Sequence, residues 1–165
     1  MLKVDLNEAL VDAIIRSTHA GLQMAGLSPR PVGISTLPAR AQEVAVVIGL
    51  VGRRNGTVTL SLSQRAVLLL ANRFTDSGQS EVNEDVLDAV GEITNIVAGR
   101  LKGELGDPSY GITSISCPSI IIGADYHLYQ FRGFQTVSVE FEIEELPIMF
   151  WRERLFSATL SLTRA

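Results

Sequence analysis

Three side chains with strong hydrogen-bonding capacity, Asp88, Glu92 and Asn95, stand in the stretch LDAVGEITNIVAG, spaced by four and then three residues. In a helix that spacing aligns them in one row. A carboxylate pairs with cations, and a carboxamide offers one acceptor and two donors. Asn is neither base nor nucleophile near neutrality, but it can hold a water in a chosen orientation. That suffices to hydrolyse a bond already activated, such as an acyl phosphate, where catalysis is mainly placement and charge neutralisation.

The element that must carry this row reads as a helix starting after Asn83, with Glu84 and Asp85 at the positive end of its dipole. It ends near Lys102 to Gly106. With Asp88 set at zero, Asp85, Glu92, Asn95, Gly99 and Lys102 fall within roughly 60° of it, and Val86, Leu87, Val90, Ile93, Val97 and Leu101 fall opposite. A helix so patterned lies on a sheet with its polar back to water. A solvated face accounts for the stripe, but Asn95 and Gly99 each cost some tenths to about 1 kcal/mol relative to Ala. Gly91 and Ala98 flank the row, and small residues leave room for another protein surface to approach.

The other elements follow from caps, periodicity and turn residues. A first helix runs from about Leu6 to Met24, capped by Asp5 or Asn7 and ended by AGLSPRP. VGISTL and EVAVVIGLVG read as strands, the second so continuously apolar that burial on both faces is expected. RRNGTVTLSLS reads as a hairpin turning on Asn55-Gly56, a pair suited to the positive φ angles of a type I′ turn. SQRAVLLLANRF is a short helix capped by Ser63, and TDSGQS a loop. YGITSIS, SIIIGA, HLYQF, FQTVSVEFEIE and RLFSATLSLT read as strands, the last two pairing as an antiparallel ribbon.

This order is neither alternating βα nor all-β, and it indicates an α+β fold. Shifting the first helix by 76 positions pairs Asn7 with Asn83, Glu8 with Glu84, Asp12 with Asp88, Ala13 with Ala89 and Thr18 with Thr94. GISTLP then corresponds to GITSISCP. A helix followed by strands, occurring twice, suggests a duplicated half with pseudo-twofold symmetry. In the first copy Asp12, Arg16 and His19 stand where Asp88, Glu92 and Asn95 stand in the second. A second site is not expected there, because Arg16 repels the cation that a Glu attracts; His19 reads as a half-exposed structural histidine.

Composition narrows the function. The chain has 165 residues, 46% apolar and 19% charged, and suits one domain spanning 1–165. Its longest apolar run, VAVVIGLVG, is too short to span a bilayer, and MLKVDLNEAL has an acid where a signal peptide would be apolar, so a cytoplasmic protein with no membrane attachment is expected. The lone Cys117 reads as a core filler, and with only His19 and His127 no zinc-type spacing exists. A net charge of -4 with scattered arginines argues against nucleic acid. The cluster Ile148, Met149, Phe150 and Trp151 in LPIMFWRE is either buried or an exposed contact patch.

Asp88-x3-Glu92-x2-Asn95, then twenty-two residues and Pro118, resembles the signature of the CheC, CheX and FliY family of chemotaxis phosphatases. GEITNIVAGRLK with Gly91 and Gly99, the VVIGLVGRRNGTVTLSLS hairpin and SCPSIIIG extend the resemblance over most of the chain, and a single full motif resembles CheX-type members most. The resemblance implies a CheC-like fold, with long helices packed on a mainly antiparallel sheet. It implies a hydrolase acting on the phosphoaspartate of a CheY-like receiver domain. Asn95 would orient the attacking water and Glu92 would pair with the receiver's lysine. Asp88, Gly91, Gly99 and Pro118 would support docking or the site, without a catalytic role. No metal or cofactor of its own is implied, the Mg²⁺ being the receiver's, and a homodimer is implied with its interface on the strand-rich half. The alternative is a noncatalytic adaptor that docks on a receiver or a flagellar-switch-type partner through the same helix. A small-molecule sensor finds no phosphate loop or cofactor motif in its support.

Overall fold

Each helix opens on the same local device, a side-chain oxygen bonding the backbone N–H three residues on. Asn7 Oδ1 accepts from Leu10 N at 3.3 Å, Ser63 Oγ from Ala66 N at 3.1 Å and Asn83 Oδ1 from Val86 N at 3.0 Å. The helices are α1 (Glu8–Leu22), α2 (Gln64–Thr75) and α3 (Glu84–Glu104). The computed structural model describes residues 6–123, 126, 129 and 132–164. Among them no helix is long and apolar enough to cross a membrane.

The strands are β1 (Arg30–Ser35), β2 (Val44–Gly52), β3 (Gly56–Leu62), β4 (Ile112–Ile115), β5 (Ser119–Ile122), β6 (Phe134–Glu142) and β7 (Leu155–Thr163). They form one antiparallel sheet in the order β1-β6-β7-β3-β2-β4, with β5 also on β2. Exchanging β1 with β4, β2 with β6 and β3 with β7 returns the same order reversed. This α+β architecture therefore carries the pseudo-twofold relation that the repeat suggests, with its axis between β3 and β7. FQTVSVEFEIE and RLFSATLSLT pair as the expected ribbon, whereas HLYQF, Tyr129 apart, lies outside the described residues.

Alternation along the strands builds the core. Val46, Ile48, Leu60, Val139, Phe141 and Phe156 are buried together with Leu10 and Ile14 of α1 and Val90, Ile93 and Val97 of α3. The opposite sheet face is rich in hydroxyls, which pair across strands: Thr136 with Ser161 at 3.0 Å and Ser138 with Thr159 at 2.9 Å. The β2 strand is buried on both faces only in its first half. Beyond it Gly49 is half-buried and Val51 is 51% exposed, because that face looks outward.

Two expectations are corrected. The β2-β3 hairpin forms, but neither Asn55 nor Gly56 has a positive φ, so its tip is not a type I′ turn. The Arg53 and Arg54 N–H groups donate to the carbonyls of Gly111 and Tyr110 rather than across the hairpin. Gly56 is required by close approach, since a Cβ there would fall 2.0 Å from the Ser161 carbonyl oxygen. The Cys117 side chain is exposed instead of filling the core. It sits between β4 and β5, where pairing to β2 is interrupted.

Candidate functional site

On α3 the buried residues Val86, Val90, Ile93, Val97 and Leu101 face the sheet and α1, leaving an outward ridge. Asp88 and Glu92 are exposed on this ridge and Asn95 is half-buried. Glu92 and Asn95 are separated by about 4.5 Å along the axis and about 60° around it. None of the three side chains hydrogen-bonds or ion-pairs with another described residue. Asp88 and Glu92 are like charges four apart, a spacing that destabilises a helix by a few tenths of a kcal/mol. The like-charged pair is therefore locally unfavourable to the fold, and the polar groups of all three side chains are left unengaged by the described residues.

Two elements frame it. On one flank Pro118, between β4 and β5, packs over α3 at Gly91, where an added Cβ would lie 3.9 Å from the proline ring. On the other flank α2 runs beside α3, and the wall of α3 carrying Asp85, Asp88 and Glu92 faces Ala71, Phe74 and Thr75 across a cleft. The sequence reading did not bring α2 into the site. Its one signal was Phe74, a large apolar residue immediately before the polar loop TDSGQS.

The small residues divide in role. Gly91 and Ala98 are buried within the chain, so they do not leave space for an outside surface; Gly91 lies beneath Pro118 and Ile120, and Ala98 belongs to the core. Gly99 alone fits that reading, since a Cβ added there meets nothing within 4 Å. The site residues Glu92, Asn95, Asp88, Gly91 and Pro118 thus come together, with Gly99 one turn beyond Asn95.

The pseudo-equivalent positions on α1 are occupied differently. Arg16 donates to Glu104 at 3.3 and 2.9 Å, and this hydrogen bond holds the Glu104 carboxyl below its ordinary value while raising the Arg16 guanidinium. His19 Nε2 lies 2.6 Å from the Pro29 carbonyl oxygen, with its ring edge-on to Phe141. Among the described residues no group of three or more His, Cys, Asp or Glu side chains is placed to hold a metal ion. The LPIMFWRE segment splits: Leu146 is buried and Phe150 lies under the Arg65 guanidinium, while Ile148, Met149 and Trp151 are 70, 75 and 55% exposed.

The family model described as "Chemotaxis phosphatase CheX" matches residues 44–142, a span that contains Asp88, Glu92, Asn95 and Pro118. The CheY-P phosphatase CheX of Thermotoga maritima is 24% identical over 161 residues, covering 95% of this chain and 97% of that protein. A CheC-like superfamily protein from Shewanella superposes with a TM-score of 0.79 at 20% identity, covering 95% of this chain and 99% of that one. A crystal structure of the CheX–CheY–BeF3–Mg+2 complex from Borrelia burgdorferi gives 0.72 at 16% identity, covering 98% of this chain and 100% of the matched one.

Proposed function

Since the chain belongs to the CheX family of chemotaxis phosphatases, we propose that it hydrolyses the phosphoaspartate of a CheY-like receiver domain by presenting the α3 ridge to the receiver's active site. The observation that carries this reading is the pair Glu92 and Asn95, three residues apart on an outward ridge and without hydrogen-bond or ion-pair partners among the described residues.

The chemistry divides between the two proteins. The receiver supplies the acyl phosphate, its Mg²⁺ and a lysine at the phosphoryl group. The Asn95 carboxamide accepts one hydrogen bond from a water and directs the water's lone pair at phosphorus, in line with the aspartyl oxygen. The new P–O bond forms from water, the bond between phosphorus and the aspartyl oxygen breaks, and aspartate and inorganic phosphate are released. Glu92 pairs with the receiver's lysine and fixes the register of the two proteins. Pro118 and Gly91 brace α3, and no phosphorylated intermediate forms on this chain.

The reading includes action in the cytoplasm and a homodimer joined on the strand-rich half. Val32 and Ile34 of edge strand β1 are 42 and 50% exposed, which suits a partner there. Light scattering on the purified protein measures the assembly, and a strictly monomeric protein would remove that part.

The test is a screen of phosphorylated receiver domains for those whose phosphoryl group is lost faster in the presence of this protein. Acceleration that disappears with Asn95→Ala is expected. Tight binding to a receiver with an unchanged phosphoryl lifetime would replace the enzyme with an adaptor.

A further inference from the structure

The cleft between the C-terminal end of α2 and the first turns of α3 has a volume of about 450 Å³. That is room for a large side chain with its neighbours. Phe74, Ala71 and Ala89 give it apolar surface, and the exposed Ser77 is among its lining residues. The α3 wall carries three carboxylates, Asp85, Asp88 and Glu92, beside the apolar Val86 and Ala89, and no Lys or Arg lines the cleft. Asp85 and Asp88 have no ion-pair partner among the described residues, so their charge is not spent inside the chain.

Glu92 belongs both to this wall and to the phosphatase ridge. An interface of ordinary size buries about 800 Å² per partner, a disc of roughly 16 Å radius. Asp85 lies about 10 Å along the helix from Glu92. A protein that places its lysine on Glu92 therefore covers the cleft as well. A purely apolar occupant would strip water from three unpaired carboxylates, which is costly. An anionic one, the phosphoryl group included, is repelled.

We propose that the cleft seats an apolar side chain with an adjoining Lys or Arg on the receiver's surface, outside its phosphorylation site, and that it determines which receivers are accepted. This rests on the phosphatase reading and assigns it a specificity subsite. Ser77→Trp puts a bulky ring in the cleft lining, and Asp85→Lys reverses charge at an exposed position without touching the ridge pair.

The test uses one CheY-like receiver, charged with acetyl phosphate for turnover and loaded with BeF3⁻ for binding. Both variants are expected to raise KM and Kd about tenfold, with kcat unchanged. Wild-type affinity is expected to fall with added salt, and Asp85→Lys to flatten that fall. Thermal melting checks that each variant folds; should the tryptophan unfold the protein, Asp85→Asn with its smaller rise in KM takes its place. Unchanged KM and Kd in the folded cleft variants, beside an inert Asn95→Ala, overturn the cleft and leave the phosphatase standing. Full turnover by Asn95→Ala overturns the phosphatase reading itself.

Discussion

The helices α1 and α3 are equivalent elements packed on a sheet whose strand order is unchanged when its two halves are exchanged, yet only the row on α3 is left without partners among the described residues. On α1 the three matching side chains are Asp12, Arg16 and His19. Arg16 is engaged by Glu104 and His19 by the Pro29 carbonyl and the Phe141 ring, so this row ties α1 to its surroundings. On α3 the matching row is tied to nothing described and includes a like-charged pair. On the same scaffold one row contributes contacts to the fold, and the other carries a like-charged pair and leaves its side chains unpartnered.

The largest expected effect follows directly. Asn95→Ala or Glu92→Ala should slow receiver dephosphorylation roughly 100-fold or more, while melting temperature holds or rises, because Ala is the better helix former and loss of Glu92 relieves repulsion from Asp88. A single-turnover assay beside a thermal melt reads both. Grafting the motif onto α1, as Arg16→Glu with His19→Asn in the Asn95→Ala background, should restore no activity. The new carboxylate would face Glu104, and the asparagine would sit against Phe141. Restored turnover would show that the two helices are interchangeable after all.

Next in size is Gly99→Ala. Nothing in the chain opposes the added methyl, so stability should rise by about 0.5–1 kcal/mol. If the partner's backbone approaches α3 there, KM should rise several-fold in the same variant. A stabilised protein with normal kinetics would restrict the interface to the N-terminal side of Asn95.

The two prolines of the repeat give a finer contrast. Pro118 packs on Gly91, whereas its counterpart Pro38 is exposed. Pro118→Ala should cost about 1 kcal/mol and reduce turnover, and Pro38→Ala should stay within about 0.5 kcal/mol with normal turnover. Chemical denaturation of the two variants side by side decides it.

The smallest effect concerns the Arg16–Glu104 pair. Its hydrogen bond lowers the Glu104 pKa in the folded state, so in acid the unfolded chain binds more protons at this residue. The stabilisation is present above the ordinary glutamate value, about 4.3, and fades as pH falls through the lowered one. The pair is exposed, so Glu104→Gln should reduce melting temperature only slightly near neutrality and not at all in strong acid. A wild-type advantage that grows on acidification would contradict this.

What could be read beforehand was what is local. Caps at Asn7, Ser63 and Asn83, the 3.6-residue period of α3 and the alternation of β6 and β7 are each decided within one or two turns of chain. The row on α3 belongs to this class, as does the duplication, because helix and strand signals recur in the same order. The misreadings all involve distant partners. The turn before Asn55 is tied to Gly111 and Tyr110 through the Arg53 and Arg54 N–H groups, Gly91 is buried beneath Pro118 and Ile120, and Cys117 is exposed where the edge strand on β2 is broken. The contribution of α2 to the cleft depends on how two helices lie side by side, which neither helix's own pattern encodes.

The interleaved sheet has a consequence for how the molecule is made. The β1 strand finds its partner in β6, and β4 and β5 find theirs in β2, so the outer strands of each half are completed by the other half. A chain cut in the loop before α3 would leave each piece with its outer strands unpaired, and two such pieces would have to meet to complete the sheet. Synthesis from the N-terminus therefore leaves the first half waiting, its β1 without a neighbour until β6 emerges more than a hundred residues later. Pairings of such long range close slowly, in the millisecond-to-second range, and the maturation of this protein should be limited by the meeting of its two halves.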